Sequence, residues 1–141
     1  MTKNDEKFKF LEHTADIKFK AFGSTIKEVF ENSALALFNI FYDKTVEEKK
    51  AYKIKVKGDN FENLLYNFLE EFLILFDSKN FLPCRIKSFE LNEKKFKIRA
   101  VIVGDDLSDY NASVHVKAIT YHGMFVKRQK NNWVSQVLVD V

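Results

Sequence analysis

The chain has very little proline, glycine, cysteine or arginine. Among 141 residues there is one Pro, four Gly and one Cys. So few Pro and Gly leave no composition for a flexible linker or a low-complexity segment. The glycines stand apart at Gly23, Gly58, Gly104 and Gly123, so they cannot form a phosphate-cradling loop. Cys84 alone cannot close a disulfide, and Met1 to Lys9 lacks the apolar stretch of an export signal. Both point to a reducing, cytoplasmic setting. No run of about 18 apolar residues is present, which excludes a spanning helix. Arginine occurs only as Arg85, Arg99 and Arg128, and the net charge of +3 is small. Readers of nucleic acid usually concentrate basic residues and favour arginine forks. Direct nucleic-acid binding is therefore expected to be weak or absent.

Aromatic mass is plentiful. Fifteen Phe in a chain that is 46% hydrophobic predict a core filled largely by rings. The length suits one domain covering 1–141. Phe8 to Phe10 reads as a short strand. Ile17, Phe19 and Ala21 alternate with Lys18 and Lys20, and Tyr52, Ile54 and Val56 with Lys53, Lys55 and Lys57, as half-buried strands do. Thr25 and Glu28 have capping-box spacing ahead of an apolar helical face from Ile26 to Phe41. Asp59 and Glu62 repeat that spacing before Phe61 to Phe76. After Pro83, Ile86–Leu91 and Phe96–Val103 read as a hairpin turning at Asn92-Glu93. Gly104 opens an acidic loop to about Asn111, expected to be a solvated turn and not a calcium loop. Val114 to Val126 reads as one long or bent strand. Trp133 to Val141 is apolar on both faces and so is expected at the centre of a sheet. The sum is an α+β fold, a largely antiparallel sheet covered by two amphipathic helices.

Chemistry-bearing residues are sparse. His13, His115 and His122 show no local metal-ligand spacing, and no nucleophile elbow is present. One constellation remains. Asp16 interrupts two apolar stretches, Asp140 ends the last strand, and the α-carboxylate of Val141 follows it. If the fold brings them together, a hard cation or a lysine must neutralise them. Lys117, alone in an apolar stretch, is the lysine placed to do so by seeking an anion or reaching solvent.

Three segments carry a resemblance: His13-Thr14-Ala15-Asp16, Val116 through His122, and Trp133 with Gln136 through Val141. In this order they resemble the archease family, and the likeness runs over nearly the whole chain. It implies a protein cofactor of the RtcB-type RNA ligase of tRNA splicing and RNA repair. Such a cofactor is not itself an enzyme. It promotes guanylylation of the ligase and its multiple turnover. The resemblance places a metal site at Asp16, Asp140 and Val141, holding Ca²⁺ most naturally, with Mg²⁺ or Mn²⁺ as alternatives. It places a functional lysine at Lys117, with His13 and His122 as further partner contacts. His115 departs from the family pattern, where an acidic residue is common. Two other classes stay open from the residues: a metal-dependent phosphoesterase using Asp16, Asp140 and His122, and an RNA-binding chaperone using the lysines of residues 52–57.

Overall fold

The computed structural model describes residues 6–11, 16–112 and 115–141. Along the chain run β1 (Phe8–Leu11), β2 (Ile17–Gly23), α1 (Ile26–Phe41), β3 (Lys50–Lys57), α2 (Phe61–Lys79), β4 (Phe81–Asn92), β5 (Lys97–Asp106), β6 (Ala118–Gln129) and β7 (Asn132–Asp140). The α+β class and the antiparallel pairing hold. The strands nevertheless divide into two sheets, ordered β1-β2-β7-β6 and β3-β5-β4. β7 lies between β2 and β6, as an apolar strand on both faces requires.

The helices belong to both sheets. α1 packs on β1, β2 and β7 and also on β4, while α2 packs on β6 and also on β3 and β4. One hydrophobic cluster therefore joins Phe19, Val137 and Ile119 of the first sheet to Ile54, Ile102 and Phe89 of the second. Phenylalanines supply its bulk. Phe38 meets Phe72 edge-on at 4.8 Å, Phe41 stacks on Phe76 at 4.6 Å, and Phe68 touches both Phe72 and Phe89. Such pairs contribute about 0.5–1.5 kcal/mol each beyond their burial.

Both helix starts use side-chain caps, with one shift of position. Thr25 accepts from the Glu28 amide at 3.1 Å, as its spacing predicts, but Glu28 reaches back to the amide and hydroxyl of Ser24 and not to Thr25. The second cap is Asn60 and not Asp59. Asn60 accepts from the Asn63 amide at 2.8 Å, and Asn63 accepts in return from the Asp59 amide at 3.0 Å. Asn60 and Asn63 have the same three-residue spacing as Asp59 and Glu62 and cap the helix one step later, with the return bond going to the Asp59 amide. Glu62 is thereby left for another partner. α2 stops at Asn80, which takes the left-handed conformation with φ 54°.

Several strand boundaries differ from the sequence expectation, and β6 runs Ala118–Gln129 where one strand from Val114 to Val126 is expected. β4 begins at Phe81, before Pro83, because it is an edge strand with a register shift between Pro83 and Arg85. Its hairpin turns over residues 93–96, with Asn92 accepting from the Lys94 and Lys95 amides. β5 continues through Gly104 to Asp106, pairing with Phe81 to Pro83, so the expected acidic loop is largely strand.

Candidate functional site

The first sheet brings the predicted carboxylates to one end. β2 pairs with β7 so that Ile17 faces Val139, and continuing that register by one residue sets Asp16 opposite Asp140. On the other side of β7, Ala118 faces Asp140, and the Lys117 amide donates to the Asp140 carbonyl at 2.8 Å. Val141 follows Asp140, so its position lies beside that of Lys117. Asp16, Asp140 and Val141 are half-buried, and Lys117 is exposed. Residues that are far apart in sequence thus meet because β7 is central and both its neighbours run antiparallel to it.

The alternation of faces refines the picture. Val137 and Val139 point into the core, so Asp16 and Asp140, one step out of phase, belong to the face turned away from the helices. Like charges directly opposite one another in a sheet repel. The pair therefore favours a positive group, and an all-oxygen, anionic donor set suits a hard cation and not a soft one. Ca²⁺ takes about 6–8 oxygen ligands, so three carboxylates leave positions for water or for a partner's groups. No group of three or more His, Cys, Asp or Glu residues that could hold a metal ion occurs among the described residues. The expected set instead centres on two side chains, Asp16 and Asp140, with Val141 next in the chain.

Lys117 takes the solvent-facing one of its two expected placements: its side chain is exposed, and residues 115–117 lie outside β6 although one strand from Val114 to Val126 is expected. Its neighbour Val116 is buried in the core and anchors the segment. His122 sits in an irregular stretch of β6, where residues 121–124 have no register partner between Thr120 opposite Leu138 and Phe125 opposite Gln136. It is exposed, as is His115. His13 lies outside the described residues.

That irregular stretch is held by partners that sequence spacing did not reveal. Tyr121 stacks on Tyr66 of α2 at 4.2 Å and 7°, and Asn63 donates to its hydroxyl at 2.8 Å. Gln136 donates to the Gly123 carbonyl at 2.8 Å, and Gly123 takes φ 69°, a conformation that glycine adopts without strain. Glu62 accepts from the Val126 amide at 3.0 Å, which ties the start of α2 to the far side of the bulge. Four residues of β6 stand against one of β7 in this stretch, a mismatch that shows only once the register is known.

The acidic segment has a structural role. Asp105 is 3% exposed, against the solvated turn expected of it. The Tyr110 hydroxyl donates to Asp105 at 2.8 Å and, with the Asp106 amide, holds its carboxyl below the usual carboxylate range. Asp106 accepts from the hydroxyl and amide of Ser108, from Asn80 and from Lys50, and its carboxyl is held far below the ordinary range chiefly by Ser108. Cys84 is half-buried, and burial pushes its thiol up, away from nucleophilic use.

An α+β fold of two antiparallel sheets enclosing a shared core also describes known proteins. The solution structure of protein 1598 of Methanobacterium thermoautotrophicum superposes with a TM-score of 0.80 and 28% identity, covering 95% of this chain and 98% of that one. A crystal structure from Thermotoga maritima, described as an archease and possible chaperone, superposes at 0.66 with 20% identity over 93% and 94% of the two chains, which speaks to fold alone. The model of the Archease protein family (MTH1598/TM1083) matches residues 8–141, and the chain belongs to that family. Protein archease of Methanosarcina acetivorans is 36% identical over the whole of both chains, and that of Pyrococcus abyssi 35% over 96% of this chain and 99% of the relative. No helix among the described residues is long and apolar enough to cross a membrane.

Proposed function

We propose that this chain is a protein cofactor of an RtcB-type RNA ligase and acts through the carboxylate end of its four-stranded sheet. Family membership supports the partner. The observation that carries the site is the register, which ranges Asp16, Asp140 and the backbone of Lys117 side by side. In this reading Asp16, Asp140 and the Val141 α-carboxylate hold a divalent cation, Ca²⁺ first, with Mg²⁺ and Mn²⁺ as alternatives. When bound, such an ion supplies charge compensation for nucleotidyl transfer, a reaction governed by positioning and electrostatics.

The chain's own residues do the rest. Asp16 and Asp140 face away from the helices, so they can approach a partner's active site without disturbing the core. Lys117, exposed beside them, balances their charge and offers an ammonium to a phosphate. His122, on the clipped bulge of the same sheet, is assigned to partner contact, and His13 with it. The three carboxylates do not complete a coordination shell, which fits a site finished by the ligase. The chain promotes guanylylation of the ligase and its repeated turnover, and joins no RNA by itself.

The experiment is guanylylation of the cognate ligase from GTP and divalent metal, with and without the chain. Stimulation by a small molar fraction of chain is expected, since a cofactor of turnover acts repeatedly. No stimulation at any ratio would overturn the proposal. Hydrolysis of generic phosphodiesters by the chain alone would favour a phosphoesterase instead.

A further inference from the structure

The three-stranded sheet also has a face turned away from the helices, and its charge is one-sided. Lys53, Lys55 and Lys57 of β3 and Lys97 and Arg99 of β5 are all exposed there. The register sets Lys55 opposite Arg99, Lys57 opposite Lys97 and Lys53 opposite Val101. β4 completes the face with Ser88, Glu90 and Asn92, so Glu90 is the one acid in this block. A shallow groove crosses it, lined by Lys53, Lys55, Ser88, Glu90, Arg99 and Val101. None of the five cations takes part in an ion pair within 4.0 Å among the described residues, whereas Lys27, Lys49, Lys50 and Arg85 all do. The modest net charge of the whole chain conceals this concentration.

The other open face shows what a merely structural set of lysines looks like. There Lys20 and Lys127 lie over the Phe125 ring, and Val134 and Leu138 are buried among the flanking side chains. Lysine stems on that face cover apolar surface. On the three-stranded sheet the cations instead alternate with Ile54, Ile98 and Ala100, which point to the core, and project freely.

We infer that this second face binds the phosphodiester backbone of base-paired RNA without reading its sequence. Alternate residues on a strand are about 6.7 Å apart and neighbouring strands about 4.8 Å, so the five cations form a grid at the scale of successive phosphates. The outward positions hold no aromatic ring, so unpaired bases have nothing to stack on, and a duplex read by backbone and shape is the better match. A protein partner would need aromatic or large apolar anchors at the centre of the patch, whereas it holds no ring and Val101 is the one large apolar side chain of the groove that faces outward. The phosphodiester class comes from the face itself. The choice of RNA over DNA rests on the ligase reading.

The test is fluorescence anisotropy of the full chain with a labelled RNA duplex of about 16 base pairs over a salt series. With about 0.9 of log–log slope per neutralised phosphate, five contacts set a ceiling near −4.5, or about 500-fold in affinity between roughly 50 and 200 mM salt. Lys55→Ala with Arg99→Ala should flatten the slope by about 2, since each phosphate contact carries about 1. Lys55→Arg should restore it at that position. Lys18→Ala with Lys20→Ala, an equal charge change on the other sheet, should leave it unaltered. Absence of duplex binding at low salt, an equal response to the two double variants, or tighter binding of a single strand of the same length would each overturn the inference. So would binding of polyglutamate without binding of the duplex, which would assign the face to an acidic protein. Guanylylation of the ligase measured without RNA should stay at the wild-type level in Lys55→Ala/Arg99→Ala, so this face and the ligase reading fail separately.

Discussion

Replacing Glu62 tests whether the bulge of β6 is held from α2. The Glu62 carboxylate accepts from the Val126 amide at 3.0 Å, in a part-buried position at the first turn of the helix. Glu62→Ala leaves that amide without its acceptor, at about 1–3 kcal/mol. It also removes a favourable charge from the helix N-terminus, worth about 0.3–1 kcal/mol. The expected loss is about 2–3 kcal/mol, or about 4–10 °C in Tm for a chain of this size. Glu62→Gln keeps an acceptor oxygen of the same reach and gives up only the charge, so it should lose about 1 kcal/mol or less. Urea unfolding followed by far-UV circular dichroism measures both, and hydrogen exchange at Val126 should rise in Ala and much less in Gln. Equal losses for the two variants, or a loss below about 0.5 kcal/mol for Ala, would refute the assignment.

Three further outcomes follow from the same geometry. Gly104 lies in β5, where an added Cβ would run into the Leu82 carbonyl oxygen and meet the Phe81 ring at 2.9 Å. Because backbone must move, Gly104→Ala should cost about 3 kcal/mol, the upper end for overpacking, read as a lowered urea midpoint. Asp106 has its carboxyl lowered in the fold from an ordinary value of 3.8, so its contribution is fully present above that pH and is lost as pH falls through the folded value. Asp106→Asn should therefore be less stable than wild type at neutral pH, with the gap closing only in acid below pH 3.8 in parallel urea melts. Extending the chain beyond Val141 turns the α-carboxylate into a peptide group and should weaken Ca²⁺ binding in calorimetry, whereas an N-terminal extension should leave it intact. Equal binding by both would remove Val141 from the site.

Much of the architecture could be read from periodicity. Two-residue alternation marked β2 and β3, and broad helical faces marked α1 and α2, because these elements bury one side against a common core. What escaped were features decided by tertiary partners. Asp59 and Asn60 are both competent caps, and only the reach of Glu62 to Val126 shows why the later one is used. Gly104-Asp105-Asp106 carries turn residues, yet pairing with Phe81 to Pro83 extends the strand, and Tyr110 satisfies the buried Asp105. Pro83 suggested a break, but an edge strand tolerates a missing amide. The division into two sheets had no local signal, since β5 pairs with β3 across the intervening helix and β4. Asp16, Asp140 and Lys117 each disturb an apolar stretch of the sequence, and the register, continued by one residue at Asp16, sets them at one end of a sheet. The bulge that presents His122, and the concentration of cations on the second sheet, depend on register and pairing that no single strand reveals.

The measurement closest to the central claim is guanylylation of the cognate ligase with Asp16→Asn and Asp140→Asn, each an isosteric loss of one charge at the end of the sheet. Wild-type chain should stimulate the reaction and both variants should fail to, while keeping wild-type unfolding midpoints and the Lys117 amide bond to the Asp140 carbonyl. Stimulation that survives both substitutions would contradict the account and move the working surface away from these carboxylates.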